Sequence, residues 1–373
     1  MTSRISPPYR ADHVGSLLRP QELLDARGRY HRGEISAADL RAAEDEAIAT
    51  AVKKEEAVGL HSITDGEFRR TFFHLDFLEQ LGGVTVSGSI AANPDAIPAK
   101  EGFTPPRLTV TGKLQHIKNI QVDDFLYLKS QVGSNSTPKV SIPSPTMVHF
   151  RGGRKAIDIE AYPDMDEFFE DLAQVYREEI DGLYKAGCRY IQLDDTNLAY
   201  LCDPMMRQGA IERGDDPDDL PRTYAALIND VINDRPEDLT VGVHLCRGNF
   251  RSTWFAKGGY EPVAEVLFND LNVDAYFLEY DDERSGDFSP LRFVPDEKTV
   301  VLGVVTSKRG DLEDKDFVIK RIKEAAEYIP LENMCLSPQC GFSSTVHGNE
   351  LTHEAQWAKL EMIVNVAREV WGD

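Results

Sequence analysis

TVGVHLC, residues 240–246, decides how the whole chain is read. A short apolar, β-branched run of this kind is a strand buried on both faces, and it ends in two side chains that bind metals. Alternation along an extended strand puts His244 and Cys246 on one face. Runs of the same kind end at HVGS (13–16), SITDGE (62–67), VSIPSP (140–145), YIQLDD (190–195), AYFLEY (275–280), VVLGVV (300–305) and MCLSPQC (334–340). With 240–246 they make eight, the strand number of a (β/α)8 barrel.

The stretches between the runs support that count. Residues 37–59, 165–187 and 314–329 carry apolar residues at helical spacing, and Gly59 and Gly187 close the first two, as expected of crossover helices in an outer ring. Residues 82–137 are rich in Gly, Ser, Pro and Asn but contain RLTVTGK (107–113), and are expected to form a hairpin-bearing insertion after the second βα unit, near the barrel mouth. The fold expected is therefore α/β, one (β/α)8 TIM barrel over residues 1–373.

Composition narrows the function. Of 373 residues, 41% are hydrophobic and 28% charged, enough apolar material for a large core. The net charge of -22 repels nucleic acid and anionic membranes. No apolar targeting segment or membrane-length run is present, so a cytoplasmic protein without a membrane or nucleic-acid partner is expected. The five cysteines, Cys188, Cys202, Cys246, Cys335 and Cys340, are odd in number and widely spaced, which argues for thiols or metal ligands rather than disulfides. Cys335 lies five residues before Cys340, an odd offset expected to point it to the opposite face, and with Cys188 and Cys202 it reads as structural.

In a barrel, functional groups gather where strands end. His244 with Cys246 alone is a weak signal, whose plainer reading is a core histidine beside a buried cysteine. Glu279 and Cys340, at the ends of two other strands, turn the pair into a four-membered nitrogen, sulfur and oxygen set suited to zinc. A thiol approaching such an ion loses its proton and becomes a nucleophile, and the hard Glu279 oxygen is the ligand it would displace. Glu67 and the Asp194-Asp195 pair can hold a substrate ammonium group or act as acid and base; the plainer readings are a solvated DGEFRR turn and a helix cap. Ser16 can offer its hydroxyl and N–H to a substrate carboxylate, or simply cap a helix. Arg69, Arg70 and Arg247 are available to an anionic group, whereas YDDERSGD (280–287) reads as a charge-rich solvated loop.

Together these residues resemble the cobalamin-independent methionine synthase superfamily, in particular its short single-barrel members. The likeness runs from RADHVGSLLRP (10–20) to WAKLEMIVNVAREVWG (357–372). It implies zinc held by His244, Cys246, Glu279 and Cys340, the last in a Pro-x-Cys-Gly context. It implies homocysteine held by Ser16, by Glu67 in a DGE that stands where the family has HGE, and by Asp194 in a QLDD that stands where the family has QIDE. The activity implied is methyl transfer to homocysteine, giving methionine, from 5-methyltetrahydrofolate or another donor.

Three departures bear on the donor. The N-terminal barrel of the full-length synthase has no counterpart here, and Phe150 stands where the family has a tryptophan that stacks on the folate pterin. The family's catalytic histidine after strand seven is replaced by Thr306, Ser307 and Lys308, of which Lys308 is the candidate proton donor. A neighbouring branch, the epoxyalkane:coenzyme M transferases, implies instead thiol addition to an epoxide or the reverse carbon–sulfur lyase reaction. A non-enzymatic zinc protein is the third reading. The partners expected are a small-molecule thiol and a methyl donor, and a homo-oligomer is compatible with all three.

Overall fold

The computed structural model describes residues 4–87 and 106–372. Six strands form one parallel sheet in the order Val140–Pro143, Tyr190–Asp195, Thr240–Leu245, Ala275–Glu279, Thr299–Val305 and Met334–Pro338, so that sequence neighbours are spatial neighbours. Parallel strands need a crossover between each pair, and the helices Met165–Ala186, Leu220–Ile232, Glu261–Asn269 and Lys315–Ala325 supply four of them. The ring continues at both ends. Ser62–Ile63 pairs in parallel with Thr137–Pro138, just before the 140–143 strand, and Ala11 bridges in parallel to Leu336. Seven of the eight expected runs are thus strands, and the first joins the ring through a single parallel bridge.

The seam between the first two runs is of a different kind. One backbone bond crosses it among the described residues, from Leu17 N–H to Gly66 O at 3.0 Å. Side chains carry the rest: Thr64 Oγ1 donates to Gly15 O at 2.8 Å and Ser62 Oγ to Asp12 Oδ1 at 2.8 Å.

Alternation divides the strand side chains between two cores. Ile191, Leu193, Val241, Val243, Leu278 and Val300 join the large core shared with the helices, while Val14, Tyr190, Phe277, Val301 and Cys335 form a separate cluster inside the barrel. Beside that inner cluster lies a buried ion pair. Lys139 Nζ stands 3.1 Å from Asp12 Oδ1 and over the rings of Phe277 and Tyr190 at 4.2 and 5.0 Å.

Two expectations are corrected here. Cys335 faces the barrel interior, not away from it, because the strand register shifts between Ser337 and Pro338 and breaks the simple odd-even count to Cys340. The 82–137 range is not wholly an insertion. Gly82–Ser87 and Arg107–Gln115 do form an antiparallel hairpin, but Val122–Gln131 is a helix packed between Ala37–Val58 and Met165–Ala186, which makes it the crossover helix before the third strand. Its start is tied down by Glu179, which accepts from the N–H groups of Ile120 and Gln121 and pairs with His116 Nε2 at 2.7 Å. The tip of the hairpin lies outside the described residues.

Local chemistry sets the ring helices as expected. Ser36 and Asp39 form a reciprocal capping box at the start of Ala37–Val58, and Gly59 and Gly187 close their helices in the left-handed region at φ 96° and 102°. Among the described residues no helix is long and apolar enough to cross a membrane.

Candidate metal centre and substrate pocket

His244, Cys246, Glu279 and Cys340 converge at the C-terminal rim of the sheet, all buried, with one donor atom from each lying within 4.8 Å of the others. Each arrives by a simple route. His244 is in register with Phe277 on the next strand and points inward, Glu279 ends that next strand two residues later, and Cys340 follows the last strand by two residues.

The protein already orients these donors. His244 Nδ1 lies 3.3 Å from Phe277 O, which suits an N–H donor there, and its Nε2 is buried with no hydrogen-bond partner among the described residues. Glu279 Oε1 accepts from Arg247 N–H at 2.8 Å, and Oε2 accepts from Arg284 Nη2 at 2.9 Å. The two sulfurs are 3.5 Å apart. Cys246 holds the Cys340 thiol well below its ordinary value, in spite of burial and with help from His244, while Cys340 and burial push Cys246 well above its own. A cation of thiolate preference lets both ionise, so the donor set and the unpartnered Nε2 fit a metal ion.

A second set of groups adjoins the first. Asp194 pairs in register with His244 across the sheet, and Gln192 Nε2 donates to its Oδ1 at 2.6 Å. Burial pushes Asp194 up to about 6, against the pull of His244 and Gln192. Glu67 is raised further, to about 8, by burial and by Asp194, although Arg70 opposes the shift. Its Oε2 is buried without a hydrogen-bond partner among the described residues, with Arg70 Nη1 3.8 Å away. Glu67 also sits at φ 56°, a left-handed conformation that costs a non-glycine residue of order 1–3 kcal/mol. Arg19 secures it, donating to the carbonyls of Glu67 and Arg70 at 2.8 and 2.7 Å and, from its other nitrogen, to Ser343 Oγ at 2.6 Å.

The remaining sequence candidates fall as follows. Ser16 is buried beside the loop after the last strand, its Oγ accepting from Ser343 N–H at 3.2 Å. Adjacent aspartates take different jobs: Asp195 caps the turn of helix at Asn197–Tyr200 by accepting from Leu198 N–H at 2.8 Å, while Asp194 faces the donors. Lys308 is buried near both thiols, with Nζ 3.5 Å from Asn249 Oδ1. Phe150 is buried against Tyr200 and Tyr224, and the Arg213 guanidinium lies over its ring at 5.1 Å. The DGEFRR turn is not solvated, since Glu67, Phe68 and Arg70 are all buried. Arg69 turns outward to Glu44, Asp45 and Asp124. YDDERSGD is solvated in part, with Asp282, Glu283, Gly286 and Asp287 exposed, but the Arg284 side chain is 5% exposed and reaches back to Glu279. Arg19 and Arg284 hold the site groups Glu67 and Glu279 without being site candidates in the sequence; the run of charge around Arg284 conceals its inward direction.

A barrel with a cluster of side chains able to hold a cation, and paired carboxylates at its strand ends, has the architecture of a catalytic pocket for a small molecule. Residues 11–369 match the family described as cobalamin-independent synthase, catalytic domain, and the chain belongs to that family. It is 48% identical over 366 residues to a Bacillus subtilis protein named uncharacterized protein YxjH, covering 98% of this chain and 95% of that one. It is 25% identical to a methionine synthase of Pyrococcus horikoshii, covering 88% and 84%. A solved structure from Listeria monocytogenes, titled a putative vitamin-B12 independent methionine synthase, superposes with a TM-score of 0.79 at 41% identity, covering 98% of this chain and 99% of that one. At family level the protein is a methionine synthase-like methyltransferase.

Proposed function

We propose that the chain transfers a methyl group to the sulfur of homocysteine, using zinc held by His244, Cys246, Glu279 and Cys340. The observation that carries this reading is the junction of the two sets: a thiolate-rich cation cluster in register with Asp194, and a second buried carboxylate, Glu67, that lacks a hydrogen-bonded counterion. A small molecule with a thiol at one end and an ammonium group at the other meets both. A sulfonate-bearing thiol would bring its negative charge to the same two carboxylates.

Bound there, zinc lowers the pKa of the incoming thiol so that sulfur attacks as a thiolate. Glu67 and Asp194 hold the ammonium group, Ser16 offers its hydroxyl to the carboxylate, and together they fix the sulfur in line with the methyl carbon and its leaving atom. The carbon–sulfur bond forms as the donor–methyl bond breaks, the electron pair stays with the donor, and Lys308 supplies the proton that the donor takes up. The reading is tested by zinc content and by zinc X-ray absorption with and without L-homocysteine. One zinc per chain that gains a sulfur neighbour is expected; a protein without zinc rejects the reading, and zinc indifferent to homocysteine rejects the substrate.

Glu67 sets a pH dependence. It must be ionised to hold an ammonium group, and its free-enzyme value is pushed up to about 8, so KM for homocysteine should rise as pH falls below that point, approaching about tenfold per pH unit. Glu67→Gln should raise KM and flatten the slope. A wild-type KM that stays level from pH 8 to pH 6 counts against the assignment.

A further inference from the structure

Of the four donors, Glu279 is the one already committed on both of its oxygens. Arg247 N–H holds Oε1 at 2.8 Å and Arg284 Nη2 holds Oε2 at 2.9 Å. Donors on a carboxylate withdraw the electron density it would offer a cation, which makes it a weak ligand. His244 is treated in the opposite way: its Nδ1 lies against a backbone carbonyl, an arrangement that strengthens Nε2 as a donor. The protein therefore builds one weak ligand beside strong ones.

Arg284 is fixed for this task. It lies in the short turn Glu283–Ser285, its side chain is buried, and the same Nη2 that holds Glu279 also holds Asp281 Oδ1 at 2.9 Å, while Nη1 pairs with Asp282. Its carbonyl accepts from Gly258 N–H at 2.8 Å. Gly286, at φ 72°, lets the turn press on the neighbouring loop, where a Cβ would come within 2.7 Å of Gly259 Cα. Asp281 and Asp282 of the same loop thus hold the guanidinium beside Glu279, so its place does not depend on Glu279 alone.

We infer that Arg284 is a positioning residue that makes Glu279 the exchangeable ligand and receives its carboxylate when substrate sulfur takes its place. The inference rests on the zinc-thiol reading above. With zinc bound, the substrate thiol would give its proton to solvent as its sulfur took the place of the Glu279 carboxylate, and that carboxylate would keep its hydrogen bond to Arg284. Without Arg284 the departing carboxylate is a buried, uncompensated charge, so departure is disfavoured.

The test uses zinc-loaded Arg284→Met and Arg284→Lys proteins, titrated with L-homocysteine and followed by zinc X-ray absorption, with zinc retention measured by chelator competition. Arg284→Met is expected to retain zinc at least as tightly as wild type, yet to need at least about tenfold more homocysteine to replace an oxygen neighbour by sulfur. Arg284→Lys should fall between, because it keeps the charge but not the planar fork. A purely structural role would instead weaken zinc retention in both variants, and that result overturns the inference, as does exchange at the wild-type concentration in either. Should Arg284→Met fail to fold, Arg284→Lys alone decides on the same two readouts. Wild-type zinc that never gains sulfur would condemn the zinc-thiol reading itself.

Discussion

Replacing Cys340 by serine is expected to strip the zinc and to lower turnover by more than about a thousandfold. An ordinary thiol has a pKa of about 8.5, so about 3% is thiolate at neutral pH, and losing zinc activation alone costs about thirtyfold. The rest is positional, because a sulfur no longer anchored beside Asp194 and Glu67 is no longer aligned with the methyl carbon. A serine hydroxyl cannot replace the sulfur, since its proton is far harder to remove and Cys246, 3.5 Å away, is left with a weaker cation site. Cys335→Ser is the internal control: that thiol belongs to the cluster inside the barrel, and its loss should leave one zinc per chain. Full turnover by a zinc-free Cys340→Ser protein would end the mechanism proposed here.

Lys139→Met should lower folding stability by about 3–5 kcal/mol, read from urea denaturation. The lysine is completely enclosed, and the charge it balances on Asp12 has no route to water. Asp12 keeps four other donors, from Tyr9 N, His13 N, Ser62 Oγ and Tyr190 OH, at 3.3, 2.8, 2.8 and 2.9 Å. These stabilise the carboxylate without neutralising it. Adding Asp12→Asn to Lys139→Met should therefore recover part of the loss, because the charge goes with the residue. A single variant within about 0.5 kcal/mol of wild type would show that the pair is not balanced in this way.

How far such features were legible follows from the physics of each. Buried parallel strands are apolar runs that stop at polar residues, so seven strands could be marked from sequence, the first run forming only a bridge at Ala11, and period-two alternation correctly brought His244 and Cys246 together. Alternation also separates Asp194 from Asp195, one facing the pocket and the other capping a helix. It failed at Cys335, where a register shift has no sequence signature. The helix Val122–Gln131 was hidden by the Gly- and Ser-rich segments on either side of it. Arg284 was hidden differently: a dense run of charge is usually solvated, and only the strand-end Glu279 beside it explains why this one turns inward. Arg19 had no local signal, since its partners lie 48 and more residues away.

The uneven closure of the barrel gives its two halves different stiffness. All four cation donors stand on, or just beyond, strands of the continuous six-stranded arc, whereas Ser16 and Glu67 flank the seam that a single backbone bond and a few side chains hold shut. A ring with one compliant joint yields at that joint. Loosening at the seam would move Ser16 and Glu67 relative to Asp194, which stands on the arc, while the sulfur, nitrogen and oxygen donors keep the spacing that the arc gives them.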